Sequence, residues 1–280
     1  MNKRRDNIIL ILLLILFFIL FRSNSLMRKS ILDSCYIWFT SLVPSITSMF
    51  IIVDLLLNYG LIGIFYKVFK SNKPILIVLC LLLGTPTSTK YVKDFYGNGY
   101  ISLDDAKCIL ASFYSPNPLF IISISPSIKT SLYIFLFIYF TDIIIYLFLK
   151  RKNNTNIKPL IKHNKVPFSV CLKESTEKSF GVLILVLGSI IFFGLINTSL
   201  ELFISKDNIF IYSLIELTNA VKIISETSQY EWLIFAISFA GLSIHAQIKS
   251  ILDDTDINYK YFLFGRILTS LLAFIILILY

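Results

Sequence analysis

The sequence predicts an all-α polytopic membrane protein, built as an inverted repeat of transmembrane helices with two re-entrant hairpins and two broken helices. Three observations predict it. The first is composition. Of 280 residues, 56% are hydrophobic and only 15% charged, and the mean hydropathy is +0.78. A soluble domain carries about 25% charged residues, and no fold of this size hides so much apolar surface from water. The second is a recurring order of elements: long span, short apolar arm with a polar tip, broken span, unbroken span. The third is charge. The net charge is +9, and the Lys and Arg residues collect in segments that one topology places on a single side.

The elements follow in order. Met1–Arg5 holds three cations ahead of fourteen apolar residues, Ile8–Phe21. With Ser23-Asn24-Ser25 behind it, this resembles a signal peptide and its cleavage site. An uncleaved first helix is the better reading, because further spans follow, and residues 1–33 are taken as an N-terminal transmembrane anchor. Repeat 1 occupies 34–149. It opens with a helix around Leu42–Tyr66 that carries Pro44 and Asp54. Ile75–Leu83 is apolar but has only nine residues, about 14 Å of helix against a hydrocarbon core of ~30 Å. It meets the polar run Gly84-Thr85-Pro86-Thr87-Ser88-Thr89-Lys90, where the chain turns back. Ala106–Pro126 is broken by Ser115-Pro116-Asn117-Pro118, two prolines that an uninterrupted helix does not hold. Ile128–Leu149 is an unbroken span.

Residues 150–178 form a polar stretch with eight cations, read as a cytoplasmic linker. Repeat 2, over 179–280, then restates the order. Ser179–Phe203 is the long span. Asn208–Ile215 is the short arm, ending in Glu216-Leu217-Thr218-Asn219. Trp232–Leu252 is interrupted by Gly241-Leu242-Ser243-Ile244-His245-Ala246-Gln247. Tyr261–Tyr280 closes the chain as an unbroken span.

With the N-terminus in the cytoplasm and both short arms re-entrant, twenty cations fall inside and six outside, the bias of the positive-inside rule. Arg266 is counted among the cytoplasmic ones. The first half then enters the membrane from outside and the second from the cytoplasm, so the halves are inverted copies. Inverted repeats with discontinuous helices at mid-membrane are the mark of secondary transporters, and broken backbone at that depth persists only where it is buried in protein or lines a cavity.

Other classes find little support. The cations sit in short loops without a nucleic-acid reader motif. Cys35, Cys80, Cys108 and Cys171 are scattered, which argues against a zinc site or a disulfide framework. Gly-x-Ser-x-Gly, His-Glu-x-x-His and paired Gly-Asp motifs do not occur, so no enzyme is expected. Asp54 and Asp142 read first as helix-packing partners.

The four interruptions also carry a resemblance. Gly84–Lys90 resembles the Gly-x-Pro-x-Gly-x-Lys segment of sporulation integral membrane proteins of the YlbJ/SpoVV type. Phe113–Ile121 is similar to their Asn-Pro- or Gly-Pro-Leu-Phe-Ile segment. Glu216-Leu217-Thr218-Asn219 and Gly241–Gln247 resemble their Glu-Leu-Thr-Asn and Gly-Leu-Ser-x-His-x-Gln motifs. The resemblance spans roughly 34–280, with Ser88, Asn117 and Ala220 where glycine is usual. These proteins belong to the nucleoside-recognition gate group, similar in plan to concentrative nucleoside transporters. The resemblance implies movement of dipicolinic acid across the outer forespore membrane, or residence in the cell membrane, of a spore-forming bacterium.

A small planar dianion needs hydrogen-bond donors and positive potential, and helix N-termini supply both. The candidate donors are the hydroxyls of Thr85, Thr87, Ser88, Thr89, Thr218 and Ser243 and the amides of Asn117, Asn219 and Gln247. Against this stands back-bonding of each hydroxyl to its own helix. Lys90 is either a carboxylate partner or a snorkelling cation. Glu216, a charge in an intramembrane tip, would take a coupling proton, hold a sodium ion or pair with Lys90. His245 is either a neutral staple across the broken helix or a proton-linked donor. No other cofactor or metal is expected. The expected partners are a small anionic solute and the lipid bilayer, with a homo-oligomer or partner membrane subunit left open. A nucleoside or other small-solute carrier and a non-transporting gate or scaffold subunit are the alternatives.

Overall fold

The computed structural model describes residues 3–150 and 166–279. Most of the basic linker, 151–165, lies outside the described residues. Among them the regular elements are all helices, as lipid requires of a chain that must close its own backbone hydrogen bonds. Five helical stretches are long and apolar enough to cross a membrane: Asn24–Asn58, Ile128–Leu149, Phe168–Leu200, Trp232–Leu252 and Lys260–Leu279.

Helix α1 (Lys3–Arg22) leads through Ser23 into α2 (Asn24–Ile37). The latter continues through a π-helical turn, Trp38–Leu42, into α3 (Val43–Asn58), giving one helix of 35 residues. The wide turn lies just ahead of Pro44, which has no N–H for the carbonyl one turn back. The helix expected around Leu42–Tyr66 therefore starts earlier and stops sooner. Gly60, at φ 100°, ends it and starts the short α4 (Leu61–Phe69). The first hairpin is α5 (Lys73–Leu83) and α6 (Thr87–Gly97). Helix α7 (Leu103–Ser112) runs into extended chain and resumes as α8 (Pro118–Ile124), with α9 (Ile128–Leu149) behind it.

Helix α10 (Phe168–Leu200) has 33 residues and starts well ahead of Ser179, inside the stretch assigned to the linker. The second hairpin is α11 (Ile209–Ile215) and α12 (Leu217–Thr227). The broken span is α13 (Trp232–Phe239) and α14 (Gly241–Leu252), and α15 (Lys260–Leu279) ends the described chain. Its break differs from the expected one. The polar run 241–247 is helical, forming the first turns of α14. The interruption lies at Ala240 and Gly241, whose φ angles of 76° and 64° are left-handed.

Packing ties the halves together. Helix α10 lies against α2, α3 and α14; α7 packs on α9 as α13 packs on α15; and α7 crosses to α15 as α9 crosses to α13. The crossing is tight. A Cβ at Gly265 of α15 would collide with the Ala111 carbonyl of α7.

Two clusters of ion pairs mark the ends of the molecule. At one end Lys93 donates to Asp254 at 2.6 Å and to the Ile251 carbonyl at 3.1 Å. The Lys93 ammonium holds the exposed Asp254 carboxyl below its usual range. Here too Lys73 meets Asp105 at 2.6 Å, and Lys178 meets Asp54 at 3.3 Å. At the other end Lys222 pairs with Asp33, Thr198 with Ser30, and Lys206 with Glu201 and Glu226. Lys178 and Thr198 are both on α10, so the ends lie about 30 Å apart. The open end of the first hairpin is in one cluster and that of the second is in the other. The hairpins thus enter from opposite faces, as the charge distribution predicts. One count changes. Arg266 is fully buried in α15 and is not a loop cation, and Asp142 is equally buried in α9.

Candidate functional site

The tips of both hairpins, the first break and the first turns of α14 meet at one small cavity of about 50 Å³. Thr85 and Pro86 come from the first tip, Pro116 and Asn117 from the first break, Glu216, Leu217 and Thr218 from the second tip, and Ser243 and Gln247 from α14. Leu42, Ser45 and Ile46 of the long first helix and Val186 and Ile190 of α10 close the wall. At ~10–15 Å³ per water-sized site, the space holds a few waters, less than a small organic anion.

Backbone contact assembles it. Gly84, at φ 68°, lies so near the break that a Cβ there would collide with the backbone of Pro116 and Asn117. Thr85 N–H donates to the Ser115 carbonyl at 3.0 Å. In the other repeat the glycine is on the break. A Cβ on Gly241 would stand 3.0 Å from the Leu217 nitrogen and 3.2 Å from the Glu216 Cα. Each tip therefore meets its break at a glycine, so that main chain meets main chain.

The side chains then divide by task. Glu216 is buried and caps α12. Its Oε2 accepts from the Thr218 hydroxyl and the Asn219 N–H, both at 2.6 Å, and its Oε1 accepts from Ser243 at 3.4 Å. It thus ties the second tip to α14, and its partners are these rather than Lys90. Asn117 caps α8 by accepting from Leu119 N–H at 2.8 Å and donates to the Ser45 carbonyl at 3.2 Å. The Thr85 hydroxyl and the Gln247 Oε1 are buried without a hydrogen-bond partner. Such atoms cost free energy unless a ligand or water meets them.

Six of the twelve candidate residues line the cavity: Thr85, Asn117, Glu216, Thr218, Ser243 and Gln247. The others lie elsewhere. Thr87, Ser88 and Thr89 are buried in the first turn of α6, where the hydroxyls of Thr87 and Thr89 also lack partners. Lys90 is half-buried, its ammonium 5.9 Å from the centre of the Phe50 ring. Asn219 faces a second, polar pocket of about 100 Å³ that opens among Lys29, Asp33, Lys206 and Lys222. Glu216 and Thr218 line both spaces. His245 is the staple: Nδ1 pairs with the Tyr259 hydroxyl and Nε2 with the Phe239 carbonyl at 2.9 Å, spanning the break at Ala240.

Sequence reasoning passed over Ser45, whose position beside Pro44 was its only signal. It read Asp142 as a helix-packing partner and Arg266 as a cytoplasmic cation, without joining the two as a pair. Each lies within an otherwise apolar span, where a charge is itself a signal.

The chain is 23% identical over 299 residues to the sporulation integral membrane protein YlbJ of Bacillus subtilis (strain 168), covering 84% of this chain and 73% of that protein. No family model and no solved structure matches. Apolar spans and this similarity together make the chain a multi-pass integral membrane protein that is distantly similar in sequence to YlbJ.

Proposed function

We propose that this protein is a secondary carrier of a small organic anion, dipicolinate in the first place, across the outer forespore membrane during sporulation. The observation that carries the proposal is the convergence of both hairpin tips, the first break and the first turns of α14 on one small, largely apolar cavity that holds a few polar side chains. An anchor or scaffold has no need of orphaned hydroxyls and amides at mid-membrane. The name of its relative supplies the setting in sporulation. The cavity offers the unpaired Thr85 hydroxyl to a carboxylate, and the N-terminus of α6 begins beside it. The coupling ion is a proton or sodium, and no enzyme chemistry is assigned to the site.

Uptake of labelled dipicolinate into proteoliposomes tests the proposal. Saturable flux that unlabelled dipicolinate competes away is the expected result; a folded protein with no flux overturns it. One observation favours a second reading. The cavity wall includes the Glu216 carboxylate, which repels a dianion and suits the hydroxyls of a nucleoside. A thermal-shift panel separates the two, since a bound ligand raises the melting temperature by mass action: pyridine dicarboxylates stabilise a dipicolinate carrier, nucleosides a nucleoside carrier.

A further inference from the structure

Asp142 of α9 and Arg266 of α15 face one another inside the protein. Both are fully buried, roughly 10 Å from the Leu149 end of α9 and the Lys260 end of α15. The carboxylate Oδ1 stands 3.7 Å from a guanidinium nitrogen. Neither carboxylate oxygen has a hydrogen bond, and neither do Nε and Nη2 of the arginine. A pair kept for stability closes its fork, because burying two charges without hydrogen bonds stabilises little. This one stays open.

Its surroundings lead to the cavity. The guanidinium lies 4.2 Å from the centre of the Tyr114 ring. Tyr114 belongs to the extended segment between α7 and α8, and its hydroxyl comes up against Thr85 without closing a hydrogen bond. Thr85 lines the cavity. Pair, tyrosine, threonine and cavity are thus in continuous contact. The hydroxyls of Ser112 and Ser238, also buried, have no partner either.

We propose that Asp142 and Arg266 form a proton-operated charge switch for the central cavity. It rests on the reading of the protein as an anion carrier and names the group that couples it. A proton from the aqueous phase adds to a carboxylate oxygen of Asp142, and no covalent bond to carbon forms or breaks. The pair, neutral as a whole before, then carries one positive charge, held by Arg266 behind the Thr85 side of the cavity. That charge offsets one negative charge of the bound solute, so proton and anion bind together. The other titratable groups facing the pair are Cys80 from α5, Tyr114 from the first break, Tyr139 from α9 and His245 from α14. None of them is a second carboxylate.

The experiment measures dipicolinate affinity of the purified full chain between about pH 6 and 8, where the probe stays a dianion and ordinary carboxylates are ionised. Above the titration of Asp142, affinity is expected to fall about tenfold per pH unit, the slope of one linked proton. Asp142→Asn is expected to flatten that dependence, while Glu216→Gln keeps it. Should Asp142→Asn fail to fold, the neutral double variant Asp142→Asn/Arg266→Gln is expected to bind weakly and without pH dependence. An unchanged slope in either Asp142 variant overturns the switch, as does a slope lost with Glu216→Gln alone or a flat curve in the unaltered protein. In each of those cases the carrier reading stands. No binding at any pH defeats the carrier reading, and the switch with it.

Discussion

Glu216 holds the start of α12 and faces the central cavity with the same carboxylate. Glu216→Gln keeps an acceptor for the Asn219 N–H but loses the charge that strengthens it, a cost of about 1 kcal/mol. The protein is expected to stay folded while uptake in proteoliposomes falls at least tenfold; unchanged flux removes Glu216 from the mechanism. His245 behaves differently. Its ring satisfies the Phe239 carbonyl and the Tyr259 hydroxyl, so His245→Ala strands two buried partners at ~1–3 kcal/mol each. A lower melting temperature with unchanged solute affinity is the expected outcome. Thr218→Val and Asn117→Ala should weaken binding severalfold in the same assay, whereas Ile134→Val, in α9 and away from the cavity wall, should not. The polar minority of the sequence led to Glu216, Thr218 and Asn117. It could not separate Thr85, which reaches the cavity, from Thr87 and Thr89, which do not. All three lie in one polar run, and only the turn of the helix decides which way each hydroxyl points.

At the scale of elements, two glycines set how closely the pieces approach. Gly84→Ala puts a methyl into the backbone of Pro116 and Asn117 at a left-handed φ, and Gly265→Ala drives α15 off the Ala111 carbonyl of α7. Each is expected to destabilise the protein by ~2 kcal/mol or more, read as a lower melting temperature. Gly63→Ala, where no neighbour lies within 4 Å, serves as the neutral comparison. The hairpins and the break at the paired prolines were legible as sequence, because a short apolar arm against a polar tip has no other solution in lipid. The second break falls at Ala240 and Gly241, at the head of the expected run 241–247 and not within it, since Ala240 adopts a left-handed conformation that composition does not announce. The long first helix was hidden for the opposite reason. Residues 24–37 look too polar for a span, so the expected helix starts near Leu42, yet a π-helical turn joins the two stretches.

For the whole molecule, the two charge clusters fix which segments share a face. Asn98, at the end of the first hairpin, and Lys206, ahead of the second, are both exposed and belong to opposite ends. With the four native cysteines replaced, Asn98→Cys and Lys206→Cys are expected to react with a membrane-impermeant maleimide from opposite sides. Labelling of both from one side would refute the inverted arrangement. The overall plan was readable from the order of elements. The pairing of Asp142 with Arg266 was not, since two residues so distant in sequence give no local sign of contact.

Between the central cavity and the pocket beside Lys222 stand Glu216 and Thr218, which line both. On that side the barrier is a single layer of side chains at the end of an eleven-residue helix. A two-fold plan has here produced doors of unequal weight. Moving one hairpin tip would join the two spaces without unpacking α10 from α3. Kinetically, the solute site should then exchange faster with the Lys222 face than with the Lys93 face. The molecule would work as a lock with one light bolt, in which opening on that side is seldom the slow step.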